Sequence, residues 1–366
     1  MEGWKKHFWE REYFYDKDMV RDSHVSVAGN CFDQLAAIIL KNTTDWIEDY
    51  DYIGLEDISI HVLFDKEGYL VRSALKCNDT GYDKNLWHVN RQVIIGDKRK
   101  AQAELENVLN TKGYAIIRTA DTMLEFSRYY KNDGGKFDYQ HFSEAGHVFL
   151  IVGMDEGNYY YVDQTSELRL DKYIPSVDRR DIGVYPKESF LEVFAYYLGI
   201  FTIDFHWDNL KKLTGLCAQI VHQSVRNYYS DYISRMTDGI TVYGKGGRAA
   251  LSYIKDMIEA GKAVLGRPVY QPSTDRISNM RVADELLNGI TGIVNRREVL
   301  KEYFLKNEIN VIEVEHTLCL WKKWKTVIID RYTQGGEVLT GKDFDFNKIV
   351  DSEENLFRKL SSLQWV

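Results

Sequence analysis

The chain has 366 residues, of which 44% are hydrophobic and 28% charged, and its formal net charge is −8. This length allows two ordinary domains, and the composition is typical of a globular protein. The negative charge gives no reason to expect nucleic acid or an anionic membrane as a partner. No apolar run approaches the roughly 20 residues of a membrane span, and the first residues lack the apolar stretch of a signal peptide. We therefore predict a cytoplasmic location.

The apolar patterns of the first two hundred residues predict helices and strands in alternation. A helix beginning near Cys31 buries one face, and two strands at residues 58–64 and 69–75 flank a hairpin turn. A helix at residues 101–109 closes near Gly113 and leads into a strand at residues 114–118. Residues 148–152 form a buried strand, residues 155–158 turn the chain, and residues 159–162 return beside it. The stripe that buries the first helix comprises Phe32, Leu35, Ala36, Ile39 and Leu40.

After about residue 205 the pattern becomes helical. Long helical periodicities occupy residues 210–235, 249–260, 278–306 and 353–363. We therefore predict an α+β domain over residues 1–205, followed by a mostly helical domain over residues 206–366.

Four widely separated cysteines occur, and none belongs to a C-x-x-C pair. In a large cytoplasmic chain this pattern indicates free thiols and not a disulfide framework or a zinc site. We expect this chain to bind no metal and no cofactor of its own. The cysteines are Cys31, Cys77, Cys217 and Cys319.

Cys31 differs from the other three because it opens a predicted helix. Asn30 is a good N-cap, so Cys31 falls in the first turn, where unpaired N–H groups stabilise a thiolate. Its own N–H could also bind an oxyanion. The negative charge of Asp33 nearby partly opposes formation of this thiolate. Taken alone, a cysteine at such a position is more often a small buried apolar residue.

His147 is the candidate general base. It lies where a strand begins, just before the apolar run. A strand end holds the side chain rigidly and leaves an edge of the imidazole exposed, as a general base requires. Asp163 ends the return strand and could orient the imidazole, with Gln164 as the alternative. A plain hairpin pairs Asp163 with Leu150, about 10 Å short of His147. A bulge, a strong twist or a bend after Val162 has to close that gap.

The order of these features resembles the N-terminal domain of the butirosin biosynthesis protein H family, which is related to peptidase C39-like and papain-like folds. The likeness covers roughly residues 25–200: the helix that starts at Cys31, a strand that carries Asp121, the His147 strand and the Asp163 that follows. It implies a papain-like (cysteine proteinase-like) domain with an antiparallel sheet. It also implies a triad in which Cys31 is the nucleophile, His147 the base and Asp163 the orienting residue.

The same resemblance implies a reaction. Members of the family take an acyl group from a carrier-protein thioester and transfer it to an amine, which forms an amide in natural-product (antibiotic) biosynthesis. The partners would be an acyl or peptidyl carrier protein, whose phosphopantetheine arm is the acyl donor, and an amine substrate. Papain-like peptidases have a glutamine six residues before the cysteine to complete the oxyanion hole, but Val25 occupies that position here. His24 or Asn30 could donate instead.

Two other functions remain open. A hydrolase, either a peptidase or a thioesterase, would use the same three residues with water as the acceptor. A catalytically silent papain-like domain could serve as a binding scaffold. The sequence does not indicate the oligomeric state.

Three weaker signals lie outside the proposed triad. The Gly244-x-Gly246-x-x-Ala249 motif imitates a dinucleotide-binding turn, but a tight strand-to-helix turn is the stronger interpretation. Two possible ligands, His316 and Cys319, do not make a metal site. Two basic clusters are the first places to test for carrier-protein docking, because carrier proteins are acidic. These clusters are Lys98-Arg99-Lys100 and Lys322-Lys323-x-Lys325, the second interleaved with Trp321 and Trp324.

Overall fold

The computed structural model describes residues 31–43, 57–77, 86–120, 124–126, 146–163, 174, 176–177, 182–194, 198–230, 233–238, 240–271 and 276–363. The chain divides into two compact units. One comprises Met1–Ile53 and Lys84–Lys211, and the other comprises Gly54–Asp83 and Lys212–Val366. Each unit combines helices with a six-stranded, mainly antiparallel sheet, so the chain is an α+β protein.

The elements follow one another along the chain in this order: α1 (Cys31–Thr43), β1 (Ile60–Phe64), β2 (Leu70–Cys77), β3 (Trp87–Ile94), α2 (Lys98–Lys112), β4 (Ala115–Ala120), β5 (Gly146–Met154), β6 (Asn158–Val162), β7 (Gly183–Pro186), α3 (Lys187–Phe194), β8 (Leu198–Phe205), α4 (Trp207–Leu210), α5 (Leu213–Ser230), β9 (Ile233–Asp238), β10 (Ile240–Gly246), α6 (Arg248–Glu259), β11 (Pro268–Gln271), β12 (Arg276–Arg281), α7 (Val282–Lys306), α8 (Ile312–Thr333) and α9 (Asn347–Ser362).

The first unit is built on an antiparallel sheet with the strand order β3-β8-β4-β5-β6-β7. Helix α1 packs against β5, while α2 and α3 pack against each other. Four of the five residues of the predicted apolar stripe of α1 are buried, namely Leu35, Ala36, Ile39 and Leu40, and the fifth, Phe32, is half-buried. Helix α2 ends where the sequence predicted, because Gly113 adopts a left-handed φ of 80° and donates its N–H to Leu109. A glycine is the favoured residue for that conformation.

The second unit has a sheet with the strand order β12-β11-β2-β1-β10-β9. Its two central strands, β2 and β1, form the hairpin predicted around residues 65–68. Asp65 holds the turn by accepting hydrogen bonds from the N–H groups of Glu67 and Tyr69, and Gly68 takes a positive φ of 77°. The chain therefore enters the second unit early, returns to the first, and comes back after residue 211.

This interleaving differs from the two consecutive domains expected over residues 1–205 and 206–366. Residues 60–77 contribute the centre of the second sheet, and residues after 205 contribute four of its described strands. Residues 233–235, the end of the helix expected over residues 210–235, instead begin β9, which pairs with β10. Residues 278–281, the start of the helical pattern expected over residues 278–306, instead lie in β12. The C-terminal region itself is helical, with α7, α8 and α9 in succession. The β9 and β12 segments are strands because their edges pair with other strands. The periodicity of a single segment does not report such pairing.

A fully buried ion pair lies inside the second unit. Arg297 and Glu353 are both 0% exposed, and their side chains meet at 2.7 Å. Arg297 also donates to the carbonyl of Ile58 at 2.8 Å, and Trp321 donates to Glu353 at 2.6 Å. These contacts satisfy most of the polar atoms of the pair, as burial requires. Among the described helices, none has the length and apolarity needed to cross a membrane.

Candidate active site

The β5–β6 hairpin carries both His147 and Asp163. His147 is the second residue of β5, and Asp163 directly follows β6. Asp155 closes the turn between the two strands, where its carboxylate accepts hydrogen bonds from the N–H groups of Gly157 and Asn158 at 2.8 Å each. Such contacts are typical of an aspartate that stabilises a tight turn. The local sequence therefore specifies the hairpin.

A β-bulge brings Asp163 to the side of the sheet that carries His147. A plain hairpin would pair Asp163 with Leu150, whereas the register shifts at Val152 and Leu150 pairs with Val162 instead. Directly opposed residues share a face, and successive residues alternate between faces. The one-residue shift thus moves Asp163 from the opposite face onto the face of His147. Of the three ways to close the gap expected from the sequence, the structure has the bulge.

The two side chains form a direct hydrogen-bonded pair. Nε2 of His147 lies 2.9 Å from both Oδ1 and Oδ2 of Asp163. A carboxylate only accepts, so Nε2–H donates, and the neutral imidazole then carries its lone pair on Nδ1. Asp163 fixes this tautomer and stabilises the imidazolium that forms when Nδ1 takes up a proton.

The pair is more deeply buried than the sequence suggested. His147 is only 6% exposed and Asp163 1% exposed, whereas a strand-mouth position predicted an exposed imidazole edge. Low local polarity strengthens the attraction between the carboxylate and a protonated imidazole.

An aromatic layer encloses the same face of the sheet. Phe149, two residues after His147, lies 5.8 Å from the ring of Phe126, 6.1 Å from Tyr161 and 6.2 Å from Phe194 of α3. Phe126 also stacks on Tyr161 at 4.3 Å. These rings form a buried apolar layer on that face of the sheet. Nothing in the local sequence pattern around Phe126 marks it as a neighbour of this hairpin.

The structure places Cys31 at the first residue of α1, as predicted, and α1 packs against β5. The side chain of Cys31 lies outside the described residues. The next residue, Phe32, has its ring 6.5 Å from that of Trp87. Trp87 is the first residue of the eight-residue strand β3. Ile94, at the other end of that strand, lies in the same row of paired residues across the sheet as His147. The described contacts thus join His147 to Asp163 and do not join Cys31 to either.

The remaining predicted site residues are outside the description. His24 and Asn30, the candidate oxyanion donors, and Gln164, the alternative orienting residue, all fall in segments that the structure does not describe, as does Asp121.

The other three cysteines have distinct environments, all in the second unit. Burial raises the pKa of the Cys77 thiol to about 12, against the opposing effect of Arg297. Cys217 is completely buried in α5, and Cys319 is exposed on α8. A thiol reacts as its thiolate, so this environment disfavours reaction at Cys77.

The weaker sequence signals have structural explanations. The Gly244–Ala249 motif lies at the end of β10, where Gly247 adopts a φ of 60° and α6 begins. Strand β10 pairs antiparallel with both of its neighbours, so the motif is a tight strand-to-helix turn. His316 hydrogen-bonds to Ser352 at 3.2 Å. Within the part of the chain that the structure describes, no three His, Cys, Asp or Glu side chains form a group that could hold a metal ion.

Comparison with known proteins gives no match to any protein family and none to a curated protein.

Proposed function

We propose that this protein is a thiol-dependent acyltransferase. Cys31 accepts an acyl group from a carrier-protein thioester and passes it to an amine, forming an amide in natural-product biosynthesis. The observation that carries the proposal is the buried His147–Asp163 pair with its 2.9 Å hydrogen bonds. This is the base-and-orienter half of a cysteine triad. The nucleophile is assigned to Cys31 from its place at the start of α1 and from the family resemblance.

The reaction has two steps. The Cys31 thiolate attacks the thioester carbonyl, the bond from the acyl carbon to the pantetheine sulfur breaks, and the leaving sulfur takes a proton from the His147 imidazolium. The amine then attacks the acyl-cysteine while Nδ1 of His147 accepts its proton. Collapse of this intermediate releases the amide and returns Cys31 as the thiolate beside imidazolium. Asp163 stabilises the imidazolium at both stages.

The proposal requires Sγ of Cys31 to reach Nδ1 of His147. The start of α1 must then lie at the end of the sheet where β5 begins. Phe32, the residue after Cys31, instead contacts Trp87 at the start of β3, which is the opposite end of that sheet. Covalent labelling of Cys31 tests whether this cysteine reacts as the proposal requires.

The test is acylation of the full chain by an acetylated carrier protein or by S-acetyl-N-acetylcysteamine, followed by peptide mass spectrometry. We expect one acetyl group on Cys31 and none on the Cys31→Ala protein. The matched control is Cys319→Ala, which removes an exposed thiol from the second unit and should leave labelling unchanged. Labelling that persists without Cys31, or that maps to another cysteine, rejects the assignment.

Hydrolysis by the same residues is the competing outcome. Transfer requires an acyl-cysteine that survives until an amine arrives, which depends on exclusion of water. Adding a panel of amines to the isolated acyl-enzyme and quantifying amide against free acid separates the two activities. Rapid release of free acid, unaffected by any amine, would establish a hydrolase instead.

A further inference from the structure

Three consecutive cations begin helix α2: Lys98, Arg99 and Lys100. All three are exposed, and none has an acidic side-chain partner among the residues that the structure describes. Two exposed apolar residues lie within the five positions before them, Val93 at 37% and Ile95 at 72% exposure. A cluster of like charges attracts a partner protein of opposite charge. We call these five residues the α2 patch.

Helix stability does not explain the three cations. The positive end of a helix dipole disfavours cations in the first turn, and this first turn contains no acidic residue to offset them. The nearest acid, Asp97, acts as the N-cap and accepts from the backbone N–H of Lys100 at 2.9 Å. The charges therefore cost helix stability while projecting a positive potential into solvent.

The α2 patch lies at the same end of the sheet as His147. His147 pairs with Thr119 of β4, and Ile94 of β3 pairs with Leu198 of β8. The β4–β8 register places these two pairs in one row, about 14 Å across from β3 to β5 at the usual strand spacing. Helix α2 begins just beyond the end of β3, and it packs against α3, which covers the face that carries His147.

We propose that the α2 patch docks the acidic carrier protein that delivers the acyl group. This inference rests on the proposed function, since it names the surface that receives the donor. Complementary charge increases the rate of encounter and sets the orientation of the bound partner. Ile95, the more exposed of the two apolar residues, supplies an apolar contact, and the cations bind acidic side chains of the partner.

The second basic cluster suits this role less well. Lys322 pairs with Glu298 at 2.6 Å, which cancels part of its charge. Lys325 donates to Thr291 at 2.8 Å, and burial lowers its pKa. Only Lys323 of the three is exposed without such a contact among the described residues.

The test compares two acyl donors on the full chain. We expect Lys98→Glu/Arg99→Glu/Lys100→Glu to raise the KM for acetylated carrier protein by about tenfold or more, with little change in kcat. The rate with S-acetyl-N-acetylcysteamine, which has no carrier surface, should not change. The control variant, Lys323→Glu/Lys342→Glu/Lys348→Glu, alters net charge equally on exposed residues of the second unit and should leave both donors unaffected.

Stability and binding should move in opposite directions. Glutamate in the first turn of α2 complements the helix dipole, so the reversed variant should melt at a temperature no lower than the wild type. Ile95→Ala should also raise the KM for acetylated carrier protein and leave the rate with S-acetyl-N-acetylcysteamine unchanged. The wild-type kcat/KM for the carrier should fall as salt increases, and the reversed variant should show a flatter dependence.

Each outcome separates the docking surface from the chemistry. Normal acylation of Cys31 with an unchanged carrier KM in the reversed variant overturns the docking surface and leaves the proposed function standing. An equal loss with both donors also overturns it, because the patch would then support the site and not the partner. Failure of Cys31 to accept an acetyl group from either donor overturns the proposed function and this inference together.

Discussion

Nε2 of His147 lies 2.9 Å from both carboxylate oxygens of Asp163, across a hairpin whose register shifts by one residue. The shift selects the face of the sheet on which Asp163 lies, and both side chains are buried. A buried carboxylate requires a donor, so each residue of the pair sets the environment of the other.

We expect His147→Gln to slow acylation of Cys31 roughly 10²–10⁴-fold, the usual contribution of a positioned general base. Asp163→Asn should cause a comparable or milder loss, because the amide does not stabilise an imidazolium. The measurement is the single-turnover rate with S-acetyl-N-acetylcysteamine. His88→Gln, which alters an exposed histidine on β3, is the control and should retain the full rate.

Truncation of the same histidine should also cost stability. The strand position of His147 predicted an exposed imidazole edge, but the side chain is buried, and alanine would leave the 1%-exposed Asp163 carboxylate without this donor. We expect His147→Ala to lower the free energy of unfolding by about 3 kcal/mol. A native-like urea midpoint for this variant would show that water reaches Asp163 freely.

His61 should make the protein less stable in mild acid. Burial, with a smaller contribution from Lys76, lowers its pKa from 6.5 to about 4. Between these values the unfolded chain binds a proton that the folded chain does not, so stability is complete above about pH 6.5 and falls towards pH 4. The loss approaches about 3 kcal/mol at the lower limit.

Urea unfolding at pH 7 and at pH 4.5 measures this effect. The His61→Gln protein should lose less stability between the two pH values than the wild type, and His88→Gln should behave like the wild type. An identical pH dependence in all three proteins would show that carboxylates alone control the acid response.

The four thiols should react at very different rates. Cys319 is exposed and should be alkylated by iodoacetamide within minutes, whereas Cys217 and Cys77 should remain unmodified until the protein unfolds. Cys31, if paired with His147, should react as a thiolate well below pH 8. Peptide mapping over a pH series gives each rate, and an ordinary thiol profile for Cys31 would contradict its role as nucleophile.

The buried Arg297–Glu353 pair should be the most sensitive ionic contact tested in the second unit. Glu353→Gln is expected to lower the free energy of unfolding by roughly 3–5 kcal/mol, because it leaves the guanidinium buried without a counter-charge. Glu67→Gln, which removes the exposed partner of Lys66, should change it by less than about 1 kcal/mol. Urea denaturation compares the two, and similar effects would mean that water solvates Arg297.

The interleaved chain predicts how fragments behave. A fragment of residues 206–366 lacks β1 and β2, the two central strands of its own sheet, and should not fold. Adding the hairpin as a separate peptide of residues 54–83 should restore structure in part. Circular dichroism and urea titration test both, and a cooperative transition for residues 206–366 alone would restore the consecutive domain boundary expected from the sequence.

Much of the local structure is predictable from short segments. The start of α1 at Cys31, the glycine that ends α2 at Gly113 and the turns at Asp65 and Asp155 follow from backbone preferences and side-chain hydrogen bonds within a few residues. The sequence also brought His147 and Asp163 onto adjacent strands, because the apolar runs and the turn between them define one hairpin.

Tertiary structure decided the relationships that depend on distant partners. Alternation alone placed Asp163 on the wrong face, and only the pairing of β5 and β6 at Val152 shows the bulge that corrects it. The second sheet joins residues 60–77 to strands more than 150 residues later, a choice made by edge pairing and not by local periodicity. The sequence thus determined the local turns, the ends of the helices named above and the candidate His–Asp pair. Packing determined their faces, their burial and the path of the chain between two sheets, because these depend on contacts that no single segment contains.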